Sequence, residues 1–152
     1  MPRFNRPSLI MAMAIACLGS VQAESLYRVD ATELTGTSLF DQELLENGLV
    51  TVIPSVSLQS QGDLRVLERC LWSIGVEFSQ SPVSFTPGKM ICVGPDQEVL
   101  ETIPSGTIEA VEASGGCSEE PCTTYRVSGG AEFTMQLNAA LSFELQPRNE
   151  RQ

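Results

Sequence analysis

The strongest constraint on the fold is the alternation of apolar and polar residues near the C-terminus. In residues 133–137 and 141–145, phenylalanine, methionine or leucine occupies every second position, with Thr, Gln, Ser or Glu between them. A side-chain period of two is that of a half-buried β-strand. The pattern therefore predicts two strands, and the short break at residues 138–140 predicts a hairpin between them.

Similar but shorter patterns recur along the rest of the chain, and glycine and proline interrupt them every few residues. This spacing is typical of a β-sandwich or a small β-barrel. We therefore expect a single, mainly-β domain; an immunoglobulin-like sandwich and a lipocalin-like barrel both fit the sequence. Further strands are predicted at residues 26–29, 49–53, 76–78, 83–85, 90–93, 107–113 and 123–127. The last two are expected to pair as a hairpin.

One or two short helices are expected in the first half of the chain. Residues 39–47 read as a helix, with Ser38 as its N-cap and Gly48 just beyond its end. Residues 63–74 carry leucine and isoleucine at helical spacing, which favours a second helix. The same residues also fit a strand, and this alternative stays open.

The N-terminus has the layout of a secretory signal peptide. Two arginines precede the apolar run at residues 9–18, and a segment of small residues ends at Ala23. We predict a signal peptide at residues 1–23, a mainly-β domain at 24–147 and a polar tail at 148–152. Attachment of lipid at Cys17 is the alternative to simple cleavage. No later apolar run is long enough to cross a bilayer.

Four cysteines follow the predicted signal peptide: Cys70, Cys92, Cys117 and Cys122. Export to an oxidising compartment would allow them to form two disulfides. Three pairings are possible, and proximity in the sequence favours Cys70 with Cys92 and Cys117 with Cys122. A zinc site is disfavoured because the chain has no histidine and no C-x-x-C spacing. No metal or cofactor is expected.

The predicted mature chain is strongly acidic. All 19 aspartates and glutamates follow residue 23, against seven basic residues, which gives a formal charge of −12. This charge repels nucleic acid and anionic lipid, so a protein partner is expected and a nucleic-acid partner is not. Glu119 and Glu120 lie between two cysteines, on a loop that a disulfide would hold rigid. They are the candidate partner-binding residues.

Catalytic motifs are scarce. Without histidine the chain cannot form a Ser-His-Asp triad or a Cys-His pair. A dyad of a serine with Lys89, the only lysine, lacks a serine that the sequence places beside it. Carboxylate pairs are the remaining catalytic candidates. The candidate pairs are Glu98 with Glu101, Glu109 with Glu112, and Asp41 with Glu43.

These observations lead to an expectation of function by class. We expect an exported, non-enzymatic binding or interaction module, located in the periplasm or secreted from the cell. The alternative is a small hydrolase that uses two carboxylates on a carbohydrate or a peptide. The oligomeric state is not predicted by the sequence.

Overall fold

The structure is a computed structural model, and it describes residues 27–80, 82–110 and 115–147. The described chain is mainly β, with two sheets, two disulfides and one short 3-10 helix at Leu64–Arg69. The strands are β1 Tyr27–Asp30, β2 Glu33–Thr37, β3 Gln42–Leu44, β4 Gly48–Val56, β5 Gln61–Gly62, β6 Cys70–Glu77, β7 Ser84–Val93, β8 Val99–Thr102, β9 Gly106–Ala110, β10 Gly115–Cys117, β11 Tyr125–Val127, β12 Glu132–Leu137 and β13 Leu141–Leu145.

Ten strands form one large sheet in the order β5-β1-β13-β8-β7-β6-β4-β2-β12-β9, and β10-β11-β3 form a small one. The neighbouring strands pair antiparallel. The order of the large sheet is open, so the described strands do not close into a barrel. The expectation of a mainly-β chain is therefore confirmed.

The large sheet folds over its own core. Phe85 on β7 and Phe133 on β12 lie four places apart in the strand order, yet their ring centroids are 5.7 Å apart. Both halves of the sheet therefore contribute side chains to one apolar cluster. The alternation seen in the sequence places every second side chain of a strand in this cluster, as on β6, where Cys70, Trp72 and Ile74 are buried.

Trp72 is fully buried in the core, and its ring limits the size of the residue at position 36 of β2. A Cβ atom on Gly36 would lie 2.5 Å from Val52 Cγ2 and 3.0 Å from the Trp72 ring. The distance to Val52 is too short for a real Cβ contact and the distance to Trp72 is tighter than most, so a larger residue at position 36 would require neighbouring groups to move. Gly36 thus allows the indole to pack directly against the backbone of β2.

The predicted hairpin at residues 138–140 is wrong. β12 and β13 do not pair with each other; β12 pairs with β2 and β9, and β13 pairs with β1 and β8. The ladder between β1 and β13 continues, after a shift of one residue, as the ladder between β2 and β12. Residues 138–140 therefore form a corner of the sheet. Asn138 N–H is bonded to Ser105 O at 2.9 Å at this corner.

The helix predicted at residues 39–47 is also wrong. Gln42–Leu44 is strand β3, which pairs with β11. Ser38 is buried and does not cap a helix; its hydroxyl donates to Phe40 O at 2.8 Å. Its backbone N–H donates to Ala131 O at 2.9 Å. The pairing of β3 with β11 outweighs the helical tendency of this segment.

Three other predictions need correction or refinement. Residues 63–74 contain both proposed structures, because a 3-10 helix ends at Arg69 and strand β6 begins at Cys70. Residues 83–85 and 90–93 belong largely to one strand, β7, which Pro87 does not end. Strand β9 pairs with β12, and β11 pairs with β10, so the expected hairpin between residues 107–113 and 123–127 is absent from the described ladders.

Candidate functional site

The loop between Cys117 and Cys122 is held in place at its base. Cys117 is the last residue of β10 and pairs with Tyr125 of β11. The structure contains the Cys117–Cys122 disulfide, with the two Cα atoms 5.2 Å apart. Glu119 and Glu120 are exposed on this loop. The strand pairing and the disulfide together fix the position from which both carboxylates project.

An apolar side chain lies beside this loop. Leu45 is 74% exposed and borders a depression of about 500 Å³ that extends to Cys122 and Thr123. Glu46 lines the same depression. We call this region the loop surface. It comprises Leu45, Glu46, Glu119, Glu120, Cys122 and Thr123.

Asn47 and the two residues that follow β6, Phe78 and Ser79, also line the depression. The side chain of Asn47 accepts hydrogen bonds from the backbone N–H groups of Phe78, at 2.9 Å, and Ser79, at 3.1 Å. Its amide nitrogen donates to Ser79 Oγ at 2.9 Å. These bonds link the turn that carries Leu45 to β6, so the apolar side chain projects from a fixed backbone.

Beneath the loop surface, aromatic rings join the small sheet to the core. Tyr125 stacks on Phe78 with ring centroids 5.9 Å apart and meets the edge of Phe85 at 6.1 Å. Tyr125 is buried, and burial raises the pKa of its phenol above 10.0. The small sheet is therefore packed on the large one and not attached only by the chain.

Gln42 provides a second link between the two sheets. Its side-chain amide donates to Thr51 O at 2.9 Å and accepts from Thr51 N–H at 2.9 Å. On β4, the pairing with β2 ends at Ile53, so β2 does not reach Thr51. The amide of Gln42 thus satisfies both backbone groups of Thr51, as another strand would.

The charges at this end of the molecule fall into two groups. Glu43 forms an ion pair with Arg126 at 2.9 Å, and Asp41 accepts from Gly129 N–H at 2.8 Å. Glu46, Glu119 and Glu120 have no ion-pair partner within the described ranges. The loop surface therefore combines an apolar side chain with three carboxylates whose charge is not balanced locally.

Glu98 and Glu101, one of the carboxylate pairs considered from the sequence, have separate partners. Glu98 Oε1 accepts from the Tyr27 hydroxyl at 3.0 Å. Glu101 binds Lys89 Nζ at 2.9 Å and Gln146 Nε2 at 2.6 Å. The hydrogen bond from Lys89 lowers the pKa of Glu101. Lys89 therefore donates to a carboxylate. Two serines of the kind that a serine–lysine dyad would need, Ser105 and Ser142, line the same surface depression as Lys89. Glu112 lies outside the described residues.

The other disulfide joins Cys70 and Cys92, which are direct partners in the ladder between β6 and β7. Both disulfides are the pairs that sequence proximity favoured. In the part of the chain that the structure describes, no group of three or more Cys, Asp or Glu residues is placed to hold a metal ion.

The predicted signal peptide, with Cys17, and the whole predicted tail lie outside the described residues. Within 27–80, 82–110 and 115–147, no helix has the length and apolar character needed to cross a membrane.

Compared with known protein families, curated proteins and solved structures, the chain has no match in any of the three.

The sequence identified the acidic part of the loop surface but not its apolar part. The sequence pattern places Leu45 in a predicted helix that does not form, and it does not distinguish Gln42 or Asn47 from other polar residues. The Asn-Gly dipeptide at residues 47–48 is a turn signal that fits the end of a helix as well as the start of strand β4, so it did not separate the two. Nothing in the sequence places Leu45 beside Cys122, because they are distant along the chain.

Proposed function

We propose that the protein is an exported, non-enzymatic binding module of the cell envelope or the extracellular space, and that it binds a basic protein through the loop surface. The observation that supports this most directly is the exposed Leu45 beside the disulfide-closed acidic loop. An apolar side chain gives affinity when a partner covers it, and neighbouring carboxylates favour a cationic partner. A constrained loop also loses little conformational entropy on binding.

Export is part of the proposal, and the two disulfides are consistent with an extracellular or periplasmic location, because disulfides persist in oxidising compartments. The sequence left a sandwich and a small barrel open, and we further propose that the two halves of the large sheet pack in a sandwich-like way as the scaffold for the loop surface.

Site-specific photocrosslinking in cells tests the proposed surface. A photoreactive residue replaces Leu45 in one variant and Leu58, which is fully exposed on a distant turn, in the control. We expect a discrete adduct with one basic protein from position 45 and none from position 58. Identical adduct patterns from both positions would remove the loop surface from the proposal.

The charge contribution is tested with the crosslinked protein after purification. The double variant Glu119→Gln with Glu120→Gln should slow association at low salt, and added salt should reduce the difference because it screens the charges. Glu132→Gln, an exposed carboxylate on β12, is the matched control. Unchanged association of the double variant at low salt would show that the acidic loop does not steer the partner. Turnover of a glycan or peptide that is lost with a carboxylate pair would instead establish a hydrolase.

A further inference from the structure

A second exposed apolar region lies on the outer face of the large sheet, away from the core. Leu71 on β6 and Ile91 on β7 are direct partners, as are Val93 on β7 and Val99 on β8. All four side chains are exposed, Leu71 by 53% and Ile91 by 45%. We call these four residues the outer patch. Contiguous exposed apolar side chains on a sheet face often mark an interaction site.

Carboxylates continue the outer patch across the next two strands. Ile91 pairs with Glu101 on β8, and Glu101 pairs with Glu144 on β13. Leu71, Ile91, Glu101 and Glu144 thus form one row across four strands. Half of the row is apolar and half is anionic.

Only one of the two carboxylates in this row has its charge balanced. Lys89 and Gln146 both bind Glu101. Glu144 is exposed and forms no ion pair with any residue in the described ranges. Lys89 reduces the repulsion between the two opposed carboxylates because it pairs with Glu101, and a cation placed over Glu144 would balance the charge that remains.

We propose that the outer patch and Glu144 together bind a protein segment that carries an apolar side chain and a lysine or arginine on the same face. This surface is separate from the loop surface. The strand spacing sets the separation: from β7 to β13 it is roughly 10 Å, since adjacent strands lie about 4.8 Å apart. On an α-helix, residues seven positions apart lie on nearly the same face and about 10.5 Å apart. An amphipathic basic helix therefore matches the row.

The charge of the chain argues against the other occupants of this face. A second copy would bring another chain with a formal charge of −10, and the two would repel each other at low salt. An anionic membrane surface would be repelled for the same reason. A cationic segment is the occupant that complements both halves of the row.

The proposal is tested with two designed helical peptides of about 18 residues. One has a leucine stripe followed, seven residues on, by lysines on the same face. The matched peptide has glutamates in place of the lysines. Methyl-group NMR of the whole protein locates the binding site, and a titration gives the affinity. We expect shifts at Leu71, Ile91, Val93 and Val99, and binding about tenfold tighter for the lysine peptide.

Variants of the protein then separate the two halves of the row. Glu144→Gln should weaken the lysine peptide about threefold, as expected for an exposed ion pair. Ile91→Thr, which keeps a β-branched residue in the strand, should weaken it about tenfold. Glu132→Gln and Leu58→Thr are the matched controls and should leave the affinity unchanged. The NMR spectrum of each variant checks its fold, and Glu144→Gln tests the proposal even if Ile91→Thr unfolds.

Several results would overturn the proposal. They are shifts confined to other residues, equal affinities for the two peptides, absence of binding at millimolar peptide, or equal weakening by the control variants. Concentration-dependent dimerisation that shifts the same four methyl groups would assign the face to a second copy. Binding of neutral lipid vesicles through these methyl groups would assign it to a membrane.

Discussion

The two disulfides lie in regions of opposite character. Cys70–Cys92 joins direct partners in the middle of the large sheet, and both cysteines are buried beside Trp72. Cys117–Cys122 is only half-buried and closes a loop whose acidic residues face solvent. The first bond strengthens a region that the core already orders. The second shapes a surface that has little core of its own.

This difference suggests how changes in each region should be detected. Apolar side chains are buried around Cys70–Cys92, and their burial stabilises the fold. Changes there should therefore lower the free energy of unfolding. The loop surface contributes little burial, so changes there should affect binding more than folding.

Replacing Trp72 by alanine should give the largest loss of stability. The indole is fully buried, and its removal would leave a cavity over Gly36 and Val52. We expect the free energy of unfolding to fall by about 3–5 kcal/mol. Urea denaturation followed by circular dichroism measures this, with Leu58→Ala as the exposed control. A loss below about 1 kcal/mol would contradict the central position of Trp72 in the core.

Removing the disulfides one at a time compares the two regions directly. Cys70→Ala with Cys92→Ala opens a closure of 22 residues, and Cys117→Ala with Cys122→Ala opens one of 5. On the chain-entropy model the losses are about 3 and about 2 kcal/mol. Denaturation of both double variants checks the order. A larger loss from the loop pair would show that the loop region carries more stability than its burial indicates.

The sequence predicted the strands better than it predicted their partners. Alternation at residues 133–137 and 141–145 depends only on which side chains are buried, and both segments are strands. A short break between two strands predicts a hairpin only if both strands stay side by side. Here each strand pairs with a segment near the N-terminus, which local sequence does not encode.

The helix at residues 39–47 failed for a related reason. The local pattern was helical, but Gln42 uses its side-chain amide to bind Thr51, and Ser38 is enclosed near Ala131. Long-range contacts therefore decide the conformation of this segment. The same segment places Leu45 on the loop surface. The acidic part of the candidate site followed from cysteine spacing, whereas its apolar part required the fold.

Gln42 tests whether the two regions are coupled. Gln42→Ala would leave the N–H and C=O of Thr51 without their partner, and we expect a loss of about 1–3 kcal/mol. Hydrogen exchange at the Thr51 amide should become faster, together with exchange in β3 and β11. Gln59→Ala, on an exposed turn, is the control. Unchanged protection at Thr51 would mean that water replaces the glutamine without cost and that the sheets are joined by packing alone.

The smallest expected effects are on the ionisation of the two tyrosines, Tyr27 on β1 of the large sheet and Tyr125 on β11 of the small sheet. The pKa of Tyr27 is raised chiefly because its hydroxyl is hydrogen-bonded to Glu98, whereas that of Tyr125 is raised by burial. Both phenols should therefore ionise above the ordinary value of 10.0. A raised pKa in the folded state means that the neutral phenol stabilises the fold below pH 10.0, and that this contribution is lost as the pH rises through the folded pKa.

Glu98→Gln separates these two causes. The substitution removes the carboxylate charge near Tyr27 but leaves the surroundings of Tyr125 unchanged, so only the Tyr27 titration should move down toward 10.0. The tyrosinate absorbance band measures both titrations, and Tyr27→Phe assigns them. If both titrations moved, a change near β1 would be transmitted to the small sheet, and the two regions would not be independent. If neither moved, the hydrogen bond to Glu98 would not be the cause of the raised pKa of Tyr27.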